Sequence, residues 1–435
     1  MLGPKGRVLI ARIPKGAPMS SLGRKVNQAG RLLRHEGPSG VAARALRRAA
    51  DRLAPPSHML NVFRADVLAA AEAQARGTGP GALPALPDEP LTVAWVMTPP
   101  NGGSGGHTTL LRLVGALEQA GHRCVLYLYD RWGGSLPEHE KVLREWWPWV
   151  RAEVRDAAAG IDDSHAVIAT AWPTAYAVAA SPAKGARFYL VQDIEPWFFP
   201  AGGEALLADA TYRFGFHGIT AGRWLAGKLT ADHGMPTDHF DFGCDLDRYR
   251  LADPDGAAGG RTGVCFFVRR STPRRAFDLG SLALELFATR HPDVDIHFYG
   301  DTVGAMPFPI VDHGIMTPAE LDGLYNRCVA GLVLSATNVS LVPHEMLASG
   351  CIPVVNDAEH NRVVLDNEHV AYAPATPNDL AEALSRLVAR PAAEVAAGAR
   401  AAAASVQSRS WDDAGRAVEA TVRRVVDEAG RGARP

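Results

Sequence analysis

From Leu91 onward the chain alternates short apolar runs with stretches in which apolar residues recur every three or four positions. The runs LTVAWVM (91–97), CVLYLY (124–129), HAVIAT (165–170), RFYLV (187–191) and FHGIT (216–220), with a further one around Phe240 and Phe242, have the length and apolar character of strands. Leu110, Leu111, Val114 and Leu117 fall on one face of a helix between the first two. Near-continuous apolar strands separated by amphipathic helices predict a parallel sheet covered on both faces. The segment LADPDGAAGGR (251–261) interrupts the pattern, which then restarts. Strands are predicted at 263–268, 294–299, 329–334, 352–355 and 369–373, and helices at about 275–290, 317–327, 341–349 and 377–390. An Ala/Arg-rich helix from about 395 to 430 follows. The reading is therefore α/β, with two doubly wound domains at 91–250 and 251–400. The segment 401–435 forms a C-terminal helix that packs back on the first of them. Residues 1–90 read as a helical extension ending in the Gly/Pro-rich linker GTGPGALPALPDEP (77–90). Doubly wound sheets bind ligands at the carboxyl ends of their strands, so two facing domains predict a cleft between them.

Composition narrows the picture. Of 435 residues, 47% are hydrophobic and 21% charged, which excludes collagen, disordered and disulfide-scaffold classes. The formal charge is -2, but residues 1–55 hold 12 Lys/Arg against Glu36 and Asp51, leaving the rest of the chain acidic. Net positive charge is thus absent from the domains that would grip a nucleic acid, and no nucleic-acid partner is expected. The cysteines, Cys124, Cys244, Cys265, Cys328 and Cys351, are odd in number and lack a C-x-x-C pair, as buried free thiols of a reducing compartment would. No stretch approaches the ~18 apolar residues of a membrane span. The expected location is the cytoplasm.

Four segments carry candidate chemistry. Asn101-Gly102-Gly103-Ser104-Gly105-Gly106-His107 lies between a strand and a helix, where glycines admit a ligand close to the backbone and the helix start offers free N–H groups. It lacks the G-x-G-x-x-G spacing, although Asp130 stands where a ribose-binding acid would end the next strand. Gln192-Asp193-Ile194-Glu195 follows the strand 187–191, so Asp193 and Glu195 are candidates to hold acceptor hydroxyls or act as a base; a capping role for a loop Asp is the alternative. Arg269, Arg270, Arg274 and Arg275 surround the turn after the first strand of the second domain. Planar, permanently charged guanidinium groups there suit a diphosphate and would stabilise the charge that grows on it as a leaving group. Finally, the hydroxyl-rich turn 335–341, with Thr337, Asn338, Ser340 and Leu341, leads into a short helix bearing Glu345, which can accept both hydroxyls of a ribose.

This second half resembles the nucleotide-binding domain of the family 4 glycosyltransferases, which have the GT-B fold of two Rossmann-like domains. The resemblance rests on Arg269 to Arg274, FYG (298–300), MTPAELDGLYNRC (316–328), SLVPHEMLASGCIPVV (340–355) and DNEHVAYAPATPNDLAEAL (366–384) in that order. In the first half, the glycine-rich loop, QDIEPWFFP (192–200) and FDFGCDLDRY (240–249) are similar to the rhamnosyltransferase branch, whose members build bacterial surface polysaccharides from dTDP-L-rhamnose. The resemblance implies transfer of a sugar from a nucleotide diphosphate donor to a glycan or lipid-linked glycan acceptor. It also implies retention of configuration, no metal and no cofactor, with the leaving phosphate as base. Arg269 and Arg274 would hold the diphosphate, sharing the task with Arg270 or Arg275, and Glu345 would hold the ribose; Asp193 stays a catalytic candidate from the residue reading alone. The family's usual earlier Glu is Thr337 here, which removes a donor-contacting carboxylate and leaves the turn 337–341 to compensate. Asp245-Leu246-Asp247 spells a D-x-D metal motif but stands beside the linker, and is read as coincidence. A non-catalytic GT-B binding subunit is the alternative function. An NAD-dependent oxidoreductase, the third reading, leaves the arginines and Glu345 without a role.

The basic N-terminal segment fits either an anionic membrane surface or a solvated appendage, since each Lys/Arg near such a surface contributes about 1 kcal/mol. Under the first reading, sedimentation with anionic liposomes captures the intact chain and not a chain starting near Leu91; equal capture removes the membrane role.

Overall fold

The structure is a computed structural model that describes residues 60–77, 81–83, 85, 89–252 and 260–432, with positions 42, 46 and 49. The basic segment 1–55, those three positions apart, lies outside the described residues, as do parts of both linkers. The chain divides into two compact units, Met1–Leu60 and Asn61–Pro435, and both sheets belong to the second.

The first sheet contains β1 (Thr92–Met97), β2 (Arg123–Leu128), β3 (Glu153–Asp156), β4 (Ala166–Ala169), β5 (Ala186–Val191), β6 (His217–Ala221) and β7 (Thr237–Phe240). Their order is β3-β2-β1-β4-β5-β6-β7, with every pairing parallel. The second holds β8 (Gly263–Val268), β9 (Ile296–Gly300), β10 (Val311–Asp312), β11 (Cys328–Leu332), β12 (Ile352–Asn356) and β13 (Ala371–Ala373) in the order β10-β9-β8-β11-β12-β13, again parallel. Both faces of the central strands are covered by helices, which is why Val93 to Met97 in β1 have no exposed surface at all. Strand order reverses beside β1 in one sheet and beside β8 in the other. The loops after β1, β8 and β11 therefore leave the carboxyl edge at the two switch points, where doubly wound sheets hold ligands.

Two strands escape the apolar-run reading. β3 (EVRD) and β10 (VD) are sheet edges with partly or fully exposed residues, and a half-solvated edge needs no apolar run. The helices Leu136–Trp146, Trp172–Ala180, Arg223–His233 and Glu359–Leu365 are likewise additional to it. The C-terminal tail is two helices rather than one. Ala392–Ala404 ends before a turn rich in serine, and Trp411–Gly432 starts where Ser410 accepts the N–H of Asp412 at 3.0 Å.

The Trp411–Gly432 helix lies on the first sheet's side, against the Gly105–Gln119 helix and β7. Arg424 pairs with Asp238, and the ring of His122 meets Glu419 at 3.2 Å. Where the chain returns, the N–H of Cys244 bonds to the carbonyl of Arg409 at 3.2 Å, and Gly243 lies against Trp411 so tightly that a Cβ would come within 2.5 Å of its backbone nitrogen. A Cβ on Gly415 would stand 2.5 Å from that of Ala116, so this helix pair packs at glycine distance. Gly415→Val should force the pair apart and cost about 1–3 kcal/mol, measured by denaturant unfolding; an unchanged midpoint would refute the close packing.

Candidate functional site

The glycine-rich loop is built around its neighbours. Ser104 caps the Gly105–Gln119 helix by accepting the N–H of His107 at 3.3 Å. Gly103 has φ +74°, and a Cβ on Gly102 would lie 2.4 Å from the indole of Trp146. Gly105 has open space where its side chain would be, and the carbonyl of Gly106 accepts from Gln192 at 3.1 Å. His107 stands 3.5 Å from Thr98 Oγ1 while its Nδ1 is buried without a partner, and burial holds its pKa below the usual value. The second sheet reaches this loop through Arg269, which donates to the carbonyl of Gly103 at 3.3 Å.

The centre of the seam is Asp193, which leaves the carboxyl end of β5 and is 8% exposed. Its Oδ1 accepts from the backbone N–H of Asn338 at 2.8 Å and of Ile194 at 2.9 Å. Its Oδ2 accepts from the Thr337 hydroxyl at 2.9 Å and lies 3.3 Å from Nε of Arg274. The Arg274 guanidinium stacks on the ring of Phe198 at 4.0 Å. Asn338 in turn donates to the carbonyls of Gln192 (2.9 Å) and Ala221 (3.0 Å). Thr337 and Asn338, expected as donor contacts, are withdrawn from solvent at 1% and 0% exposure and bonded to the other domain.

The remaining arginines divide. Arg275 bonds to Ser335 Oγ at 2.8 Å, and burial pushes its pKa down to about 10 against the pull of Asp193. Arg270 turns away: its N–H binds Asp301 at 2.7 Å and its guanidinium lies over Phe277. The Ser340 hydroxyl is buried without a partner, and the carbonyl of Leu341 accepts the first N–H groups of the Val342–Ala348 helix.

Glu345 occupies a separate nest. Burial first, and then the neighbouring charge of Asp245, push its carboxyl up to about 8, with Arg112 pulling the other way. Arg112 is paired with Asp245 and lies over the rings of Trp149 and Trp411. Among the described residues no donor meets the Glu345 carboxyl, which leaves its oxygens open to a ligand. Arg112 and Asp245 were not picked out from the sequence as site residues; the only signal was Asp245 within GCDLDRY, set aside with the D-x-D match. Glu195 does not reach the seam. It is 7% exposed, and its two oxygens accept from Tyr189 (2.6 Å) and from the N–H of Trp172 (2.8 Å), holding the start of the Trp172–Ala180 helix. Burial pushes it up to about 7. Among the described residues no cluster of His, Cys, Asp or Glu fits a metal ion. A cavity of about 550 Å³ lies elsewhere, between residues 239–242 and 405–417.

Solved structures share this architecture. HepE of Anabaena, in complex with UDP and glucose, superposes with a TM-score of 0.60 at 14% identity, covering 77% of this chain and 100% of that one. A mutant TarM of S. aureus, in complex with fondaparinux, α-GlcNAc-glycerol and UDP, gives 0.61 at 8% identity, covering 76% and 99%. The fold is GT-B. Residues 262–385 match the family model described as WsaF, C-terminal domain. The O-antigen biosynthesis protein RfbC of Myxococcus xanthus is 34% identical over 252 residues, 56% of this chain. That match spans 20% of the length of RfbC. Among the described residues no helix is long and apolar enough to cross a membrane.

The raised Glu345 carboxyl has a signed consequence. A folded-state value of about 8 against an ordinary 4.5 means that the folded chain holds the proton more tightly. Wild type therefore loses stability as pH rises through that window, and the loss is complete above it. Glu345→Gln cannot ionise, so its melting temperature relative to wild type should climb between about pH 4.5 and 8 and then level off. A difference that stays flat from pH 5 to 9 would contradict the assignment.

Proposed function

We propose that the protein is a glycosyltransferase that moves a sugar from a nucleoside diphosphate to a glycan acceptor during synthesis of a surface polysaccharide. The observation that carries this reading is the convergence, at the facing carboxyl edges of two parallel sheets, of Arg269 on the glycine-rich loop and of Arg274 on Asp193. Support also comes from UDP in the HepE and TarM structures and from the O-antigen role of the RfbC relative. In the reaction the bond from the anomeric carbon to the diphosphate oxygen breaks and one to an acceptor hydroxyl oxygen forms. The hydroxyl proton passes to the departing phosphate. Negative charge grows on that phosphate, and Arg269 and Arg274 are the fixed cations beside it; such preorganised charge is a large contributor to rate. Glu345 would accept the ribose hydroxyls, and the glycine-rich loop would face the acceptor.

Finer features of the proposal are retention of configuration, no metal, and dTDP-L-rhamnose as donor, the last resting on the likeness of the glycine-rich loop and residues 192–200 and 240–249. A cytoplasmic enzyme docked on an anionic membrane by residues 1–55 completes it. One observation favours a non-catalytic binding subunit: Thr337 stands where the family's usual Glu would be, and its hydroxyl is committed to Asp193.

A thermal-shift screen with dTDP-, UDP- and GDP-sugars, followed by turnover of the stabilising donor, separates the two, since a bound ligand raises apparent stability. For the enzyme, Arg274→Ala should lower kcat by roughly 10²- to 10³-fold, the scale for one transition-state donor, and Glu345→Ala should weaken nucleotide binding. Stabilisation without turnover would favour the binding subunit. Unchanged kinetics in both variants would remove the donor-site assignment.

A further inference from the structure

We propose that Asp193 is a resident anion: its carboxylate fills the cradle that the donor's diphosphate requires, so that donor binding displaces it and loosens the seam. The proposal rests on the nucleotide-diphosphate reading and adds a competition within that site.

The cradle has the chemistry of a phosphate site. Asp193 is met by a main-chain N–H (Asn338, 2.8 Å), a hydroxyl (Thr337, 2.9 Å) and a guanidinium (Arg274, 3.3 Å), all from the second domain. A phosphate oxygen takes the same set. The carboxylate nevertheless uses Arg274 incompletely. The ion pair runs through Nε, which is buried and has no hydrogen bond of its own, while stacking on Phe198 at 4.0 Å fixes the guanidinium plane. A tetrahedral group of higher charge can engage that plane more fully, so the diphosphate outcompetes the carboxylate.

Displacement has a structural consequence because these contacts bridge the domains. The Thr337 O–H bond, the Asn338 N–H bond and the Arg274 pair all end on one carboxylate. Losing it leaves the Asn338 side chain on Gln192 and Ala221, Arg269 on Gly103, and Arg223 on Val363 and Asp366 to bridge the domains, so the seam loosens at Asp193 and stays tied at Arg223. The seam is thereby held in part by the protein's own acid, and the donor exchanges that contact for occupancy.

The test is nucleotide affinity by calorimetry with UDP, dTDP and GDP on the full chain, with X-ray scattering in parallel. For the nucleotide that wild type binds, Asp193→Asn should bind about tenfold tighter, the effect of removing a competitor worth roughly one such factor, while turnover falls. Thr337→Val, which keeps every charge and loses one bond to the carboxylate, should shift affinity the same way by a smaller factor, and it serves where Asp193→Asn fails to fold. Saturating nucleotide should raise the radius of gyration of wild type. A purely supporting Asp193 predicts the reverse, weaker binding in both variants and no expansion; that result, or unchanged affinity, overturns the proposal. Failure of wild type to bind any of the three nucleotides would instead remove the donor reading, and the competition with it.

Discussion

A carboxylate withdrawn from water must be met by donors, and at Asp193 most of them come from the other sheet. That requirement, with Arg223 bound to Val363 and Asp366, ties the two domains together. The acid cannot be buried unless Thr337, Asn338 and Arg274 arrive together, and those residues arrive together only when β8 and β11 present their carboxyl ends to that of β5. Parallel strand order supplies the rest. Each loop of interest leaves the same edge of its sheet, and the reversal of order beside β1 and β8 opens the space into which they project.

Three acids show how environment assigns different work to the same functional group. Asp193 is bound at the seam. Glu195, two residues on, points into its own domain and is pushed up to about 7 while anchoring a helix start. Glu345 is pushed up to about 8 with no donor of its own among the described residues, beside an Arg112–Asp245 pair. Under the proposed function, hydroxyls on one side and a diphosphate on the other would call for this separation. An acid adjoining the arginines is consumed by them, and one held apart keeps its acceptors for a ligand.

Much of this was legible in the sequence because buried parallel strands leave continuous apolar runs, and the loops that matter follow those runs directly. The edge strands β3 and β10 left no such trace, since a half-solvated edge tolerates Glu, Arg and Asp. The arginine turn and the 335–341 turn could be picked out by residue type. What they touch could not: Asp193 and Thr337 are 144 positions apart and Arg112 and Asp245 133, and nothing local encodes either pairing. The same limit explains Glu195. Spacing alone placed both acids at the rim, whereas the tyrosines at 189 and 212 draw the second one inward.

The polypeptide passes between the lobes twice, near residue 243 and near residue 410, and the two passages touch, through Cys244 with Arg409 and Gly243 with Trp411. Two tethers set side by side behave as one pivot. Sliding and wide separation of the lobes are denied to the chain, and swinging about that spot is what it retains. Arg112 and Asp245, which sit beside the pivot, keep their pairing through such a swing while the far edge travels.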